Sequence, residues 1–543
     1  MSGTGLHANI DNRHGALLRL TSALVQILFS LLFGGIIVVL FGFASVDHFL
    51  KTEYGLPNGW LFALGLSAAA LLYLFLRMMS VFISRRNAGL SYRRLGRWSV
   101  LIATLILFYI QIIISSNIMF KTGWDAGAVF DFVYRRVDNQ AVESYSNYFS
   151  WYPNNLFLAW LYIQILRLYQ MTFQGFLSYP AYLYTLIIFN CLLSGISAVL
   201  VYRCVCLLTG RTLFGWMAWC AYAAAVGLSP WFLIPYSDAV GILFPILAFY
   251  LYIKPQRHEP LRWALISACL YAGFRIKPSA AIVFIAITGV ESAVLLSRRT
   301  DWRKAAFSAA SLVLTGLLMH GCYTVLIVPS LGLDLNKQRA IGPAHFVKMG
   351  LNERSDGVYD EEDVIYSKSF ETIDERDAAN MEAVKERLSA FGLFGYLDFL
   401  TRKALVNFNS GNFAWAAEGS FYVALFNRDT PFASRLMSYY YSDGERYHEF
   451  LLVSQALWLA LISGVFLFSF KRRHHARREQ KQTAVIRLSL VGLVIYVMLF
   501  EARARYLYTF LPLLIIAAVL GFREIGRSAG QLMAKRKSRF LPG

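Results

Sequence analysis

Five short clusters of polar and aromatic residues hold the side chains that can do chemistry, and each borders a long apolar run. The first is Gly123-Trp124-Asp125-Ala126-Gly127. A carboxylate just outside a membrane helix can act as general base on a hydroxyl. The ordinary alternative is a solvated loop acid, and Asp131 and Asp138 compete with it in the same loop. The second cluster runs from Asn147 through Tyr148, Trp151, Tyr152 and Pro153 to Asn155. Aromatics and amides of this kind can bind a sugar by stacking and hydrogen bonding, or form an interfacial aromatic belt. The third, Pro235-Tyr236-Ser237-Asp238, opens an apolar run. Asp238 is either a second active-site acid or a helix-start acid stabilised by free N–H groups and the dipole.

The fourth cluster, Gly273 to Ser279, carries Arg275 and Lys277 ahead of Pro278. Such cations suit phosphate oxygens, or they snorkel toward lipid headgroups. The fifth is Glu501-Ala502-Arg503-Ala504-Arg505-Tyr506. Glu501 can pair with one arginine and leave the other for an anion. A long polar segment adds His345, Lys348, Trp415 and Glu418; as lone residues these default to structural roles.

The elements that must position these residues are membrane helices. The chain has 543 residues, 57% hydrophobic and only 16% charged, with 52 Lys and Arg against 33 Asp and Glu for a net charge of +19. A soluble domain has about 25% charged residues. Mean hydropathy is +0.48. The basic residues lie in short clusters between apolar runs, which argues against a nucleic-acid partner despite the pI near 9.6. Cys191, Cys204, Cys206, Cys220, Cys269 and Cys322 lie in or beside apolar runs without metal-ligand or disulfide spacing, and read as core residues.

A spanning helix needs about 20 mostly apolar residues. Twelve candidates occur, at 21–43, 60–83, 98–120, 181–207, 213–232, 239–253, 263–274, 279–296, 305–328, 451–470, 485–500 and 507–522. The expected fold is therefore an all-α integral membrane protein of about twelve spans, with outward amphipathic helices and one large, mostly helical outward region. Lys and Arg mark cytoplasmic loops. The basic groups are 85–97, 203–211, 254–262, 298–304, 471–478 and 535–539, which puts both termini inside. The loop with Asp47, Lys51 and Glu53 and all five clusters then face outward. The run 156–168 breaks the alternation and is interrupted by Gln164 and Arg167. It is expected to be an amphipathic helix on the outer surface.

The chain divides into residues 1–97, a cytoplasmic tail with two additional spans; 98–335, a transmembrane core with an outward loop at 121–179; 336–447, an outward soluble segment with helical spacing at 377–400; 448–524, the C-terminal spans; and 525–543, a basic tail.

In order and sidedness these features resemble the GT-C superfamily of polytopic glycosyltransferases, in particular the protein O-mannosyltransferase and aminoarabinose transferase branch. The matching residues are Asp125 in the first large outward loop, Tyr152-Pro153 before an amphipathic helix, Asp238 opening a later helix, the Lys277-Pro278 step, and Arg505-Tyr506 before the final span. The resemblance covers residues 98–522. It departs in lacking an adjacent Asp-Glu pair in the first loop and in the two spans that precede the usual core.

The resemblance implies an inverting transfer of a sugar from a polyprenyl-phosphate carrier to an extracytoplasmic acceptor hydroxyl on a cell-envelope glycan, lipid or protein. Asp125 is the expected base and Asp238 the rival. Arg275, Lys277, Arg503 and Arg505 are the expected phosphate ligands, with Trp124, Tyr152, Tyr236, His345, Glu501 and Tyr506 against substrate. The phosphate leaving group is weakly basic, so charge stabilisation replaces a general acid. No cofactor is required, although the outward acids can take a divalent metal. The expected location is the plasma or inner membrane. The alternative is a transporter or flippase of a lipid-linked sugar or phosphate. It predicts ionisable groups deep in the spans and related halves, whereas only His320 lies deep and no halves are visible.

Overall fold

The computed structural model describes residues 4–44, 54–86, 92–173, 178–296, 302–470 and 477–539. Asp47, Lys51 and Glu53 of the first expected outward loop, and the basic residues Arg298, Arg299, Lys471, Arg472 and Arg473, lie outside the described residues.

Among the described residues nine helices are long and apolar enough to cross a membrane: Leu20–Gly42, Asn58–Phe82, Trp98–Ile118, Tyr179–Thr209, Pro278–Leu296, Trp302–Ser330, Tyr447–Phe470, Arg478–Leu499 and Ala504–Ser528. A helix satisfies its own backbone polar groups, which lipid cannot do. The other three expected spans fall on shorter or less apolar elements, Thr212–Gly227, Ser237–Ile253 and Glu259–Ile276. The first of these ends in a π-turn at Ala223–Gly227, short of the expected residue 232. The third runs past the expected residue 274.

The last span is the hub, with 83% of its apolar window buried. It packs on Tyr447–Leu467, Tyr179–Thr209 and Thr212–Tyr222. Gly521 meets the Gly464 carbonyl so closely that a Cβ has no room, the small-residue contact that lets two membrane helices approach. The two additional N-terminal spans pack outside this hub, Thr4–Gly42 on Arg477–Leu499 and Asn58–Arg86 on Tyr447–Leu467. Trp302–Ser330 lies at the periphery, with only 6% of its window buried.

The expected surface helix is Leu156–Thr172. It is packed more deeply than a helix resting on a surface, because Leu158, Ala159, Tyr162 and Leu166 are buried against Trp124–Val137 and Tyr179–Thr209. Only its far side, with Leu168 and Met171, is exposed.

The segment 336–447 is stitched to the bundle. A two-residue antiparallel pairing joins Phe120 to Leu425 and Lys121 to Ala424. The helix expected at 377–400 is longer, Ile373–Phe408, and bends at Gly392. A capping box between Thr372 and Glu375 starts it earlier than its apolar spacing indicates. Near its start the buried Arg376 donates to the carbonyls of Ser367, Gln338, Ala340 and Phe370, and its guanidinium lies over the Trp151 ring. One cation thus ties residues 338–376 down over the helix Tyr145–Trp151.

Candidate functional site

Asp125 is placed by an unusual helix start. The Gly123 N–H donates to the Ser420 carbonyl at 2.7 Å, and a Cβ at Gly123 has no room beside Ser420. Trp124 follows at φ +38°, a left-handed conformation that costs a bulky residue free energy. The helix Trp124–Val137 then begins, with Asp125 in its first turn. The carboxylate accepts a hydrogen bond from the Tyr148 hydroxyl at 2.8 Å and a longer one from the Tyr236 hydroxyl at 3.4 Å. Asn155 braces both tyrosines, donating to the Tyr148 oxygen at 2.8 Å and accepting from Tyr236 at 3.3 Å. Among the described residues Asp125 makes no ion pair.

The competing acids of that loop have structural partners. Asp131 accepts from Lys121 Nζ and the Tyr179 hydroxyl, each at 2.8 Å. Asp138 accepts from the Tyr182 hydroxyl at 3.1 Å.

The cations gather beside the Trp124–Tyr236 pair, whose rings meet edge to face at 5.1 Å. The Arg505 guanidinium lies 4.8 Å over the Trp124 ring, and Lys277 Nζ lies 5.1 Å over the Tyr506 ring. Lys277 and Asp238 form a buried ion pair. Glu418 lies 3.1 Å from Arg505 Nη1 and 3.4 Å from Arg503 Nη2. The Arg505–Glu418 contact is close enough for an ion pair, yet its atoms are not aligned for a hydrogen bond, so its strength is Coulombic. Trp124 Nε1, Arg503 Nε and Arg505 Nε are also buried without a hydrogen-bond partner among the described residues.

Glu501 completes the group. It is buried beside Arg505, Arg503 and Glu418 rather than forming the expected tight pair with one arginine. Burial pushes its carboxyl up, against the pull of the two arginines. Tyr152, Tyr359 and Lys368 lie near enough to feel the Asp125 charge. The Tyr152 ring meets Tyr148 at a 45° tilt with 5.3 Å between centroids, and Lys368 Nζ sits 5.3 Å over the Tyr152 ring. Burial raises the Tyr152 hydroxyl, and the Asp125 charge adds to the shift.

The structure thus brings together Asp125, Trp124, Tyr152, Tyr236, Asp238, Lys277, Glu501, Arg503, Arg505 and Tyr506. Two expected members lie elsewhere. Arg275 is on the last turn of Glu259–Ile276, donates to the Tyr271 hydroxyl at 3.0 Å and packs over Tyr323 at 4.1 Å, close to His320. The helix ends between Arg275 and Lys277, so the two point to different neighbours. His345 is buried in a polar knot with Ser367 at 2.7 Å, next to Lys348 and Asp363. Tyr148, Asn155 and Glu418 hold larger roles than their sequence context gives them. For Glu418 the signal is the count of cations, since Glu501 alone cannot balance two arginines.

Among the described residues no group of three or more His, Cys, Asp or Glu is arranged to hold a metal ion. An apolar groove of about 240 Å³ lies apart from the site, between Ala225, Leu228, Val453 and Leu457, and reaches Phe413.

The buried charges have measurable consequences. Asp238→Asn leaves Lys277 without its carboxylate and is expected to cost about 3–5 kcal/mol, with Asp238→Asn/Lys277→Met recovering much of the loss. Unfolding of the purified protein in detergent checks this. Burial, with the nearby Lys348 charge, pushes His345 down to about 4. The folded state therefore takes up its proton later than the unfolded state, and stability present above about pH 6.5 falls as pH drops toward 4, by on the order of 1–3 kcal/mol. His345→Gln should flatten that part of the profile, measured as the unfolding midpoint at pH 7 and pH 5.

The comparisons with known proteins agree with the membrane architecture. No curated protein matches the sequence. A family described as conserved hypothetical integral membrane protein matches residues 17–525. The match takes in all nine long apolar helices nearly complete, together with every residue of the site, and the chain belongs to that family.

Proposed function

We propose that the protein is an inverting glycosyltransferase that moves a sugar from a polyprenyl-phosphate carrier to an extracytoplasmic acceptor hydroxyl. The observation that carries the reading is the pairing of a base and an anion holder across one aromatic step. Asp125 accepts a hydrogen bond from Tyr236, Tyr236 packs on Trp124, and Arg505 lies over the Trp124 ring. The acceptor oxygen attacks the anomeric carbon and its proton passes to Asp125. The bond from that carbon to the carrier phosphate breaks, and its electron pair stays on the phosphate oxygen. Arg505 and Arg503, whose buried Nε atoms lack partners, stabilise that charge. One displacement inverts the anomeric centre. Asp238 belongs with Lys277 as a buried pair, which leaves Asp125 as the base.

The reading includes a topology. The twelve apolar elements cross a plasma or inner membrane, both termini are cytoplasmic, and the site opens outward between the bundle and the segment 336–447. Cysteines placed at Ser355 and at Ala476 should then label from opposite sides in sealed vesicles. Labelling of both from one side sinks this topology.

The enzymatic test is a cell-free assay of sugar transfer from a labelled lipid carrier. Asp125→Asn keeps size and removes basicity, so turnover should fall about 10²–10⁴-fold while carrier binding survives. Asp131→Asn, altering only the contacts with Lys121 and Tyr179, should stay within a few-fold of wild type, roughly the range of a change outside the reacting centre. Normal turnover in Asp125→Asn would refute the assignment of the base.

A further inference from the structure

We infer that Glu418 is an exchangeable counter-ion: it occupies the two arginines in the free protein and gives way when the carrier phosphate arrives. This rests on the transferase reading and adds a positioning residue to it. Every cation in the cluster already faces a carboxylate. Lys277 has Asp238, and Arg503 and Arg505 share Glu418. A phosphate added to that arrangement meets the Glu418 charge, and like charges in a buried place repel strongly.

The two ion pairs differ in how replaceable they are. Asp238 and Lys277 are both buried at the bundle end, Asp238 in the first turn of Ser237–Gly241 and Lys277 at the junction between Glu259–Ile276 and the turn that begins at Pro278. Glu418 is presented by a strained loop. Phe413, Ala414, Ala416 and Ser420 all have positive φ, conformations that cost free energy and persist only under constraint. The base of that loop is anchored. Gly411 N–H donates to Gln455 Oε1 at 2.8 Å, Trp231 to the Asn412 carbonyl at 3.1 Å, and Trp415 to the Tyr440 carbonyl at 2.7 Å. The tip is held more lightly: Ser420 accepts from Gly123 N–H at 2.7 Å and Ala417 N–H donates to the Ala414 carbonyl at 3.2 Å, while Ala417 and Gly419 are exposed and Gly419 has open space around it. The Glu418 contact with Arg505 is misaligned, so a better-aligned oxyanion can replace it.

The same tip reaches the base. Ser420 accepts from Gly123 N–H, and Trp124 and Asp125 follow directly. A shift of Glu418 on phosphate binding therefore bears on the start of the Asp125 helix, linking donor occupancy to the position of the base.

The test uses the full chain in nanodiscs and farnesyl phosphate, a short prenyl monophosphate, as probe. Wild type should bind it, and Glu418→Gln should bind it about tenfold or more tightly, because a repelling charge is gone. Glu418→Asp keeps the charge and should stay near wild type. In a cysteine-free background, a fluorophore on Ala417→Cys should change its signal when the probe binds. A purely structural Glu418 predicts the reverse, with Glu418→Gln weakening binding as the arginines lose their support. Binding by wild type with Glu418→Gln equal or weaker, or an unresponsive label at 417, overturns the exchange and leaves the transferase reading standing. No binding by wild type or Glu418→Gln overturns both. Binding by Glu418→Gln alone supports the exchange in a stronger form. If Glu418→Gln does not fold, the label at Ala417→Cys in the cysteine-free chain that keeps Glu418 decides.

Discussion

Charge balance in a buried place is the constraint on which this bundle end depends. Lys277, Arg503 and Arg505 meet Asp238, Glu418 and Glu501 where several helices stop. Removing ions from water costs several kcal/mol each unless they are paired, so the fold must deliver each acid to its cation. It does so from distant stretches of chain. Asp238 begins one helix, Lys277 breaks another, Glu418 comes from the loop after Ile373–Phe408, and the arginines begin the last span. The pairing constrains how the final span, the helix break at Lys277 and the 336–447 segment sit against one another.

The acid assigned to proton transfer stands outside that balance. A carboxylate tied to an arginine is a poor base, because the cation stabilises its charged form. Asp125 is instead held by the hydroxyls of Tyr148 and Tyr236, with Asn155 behind them. Tyr236 hydrogen-bonds Asp125 and packs on Trp124, over which the Arg505 guanidinium lies. On the proposed reading, this aromatic step links the base to the cation that meets the phosphate.

The membrane architecture was legible because lipid leaves so little choice. Apolar runs of about 20 residues must be helices there, and nine of the twelve runs give long apolar helices. The site was legible where its residues share a short stretch. Asp125 and Asp131 lie on one helix, and six residues turn the second carboxylate by about 240° relative to the first, toward Lys121 and Tyr179. Arg275 and Lys277 were harder. They are two residues apart, but the helix stops between them, and only the stopping point shows that they diverge. Glu418 was hardest, because its role lies in a long-range pairing and a lone acid in a polar segment carries no local mark of its partner.

The loop that carries Glu418 also explains why the strained residues gather here. Left-handed Trp124 faces a chain segment in which Phe413, Ala414, Ala416 and Ser420 are left-handed as well. Gly123 and Ser420 join the two by one backbone hydrogen bond, at a contact too tight for any side chain on residue 123. Strain of this kind needs surroundings that over-determine it. The anchors at Gln455, Trp231 and Tyr440 supply that below the tip, and the Coulombic hold of Arg503 and Arg505 on Glu418 supplies it at the tip. The tip hold alone depends on charge, so on the proposed reading it is the one that an incoming phosphate changes.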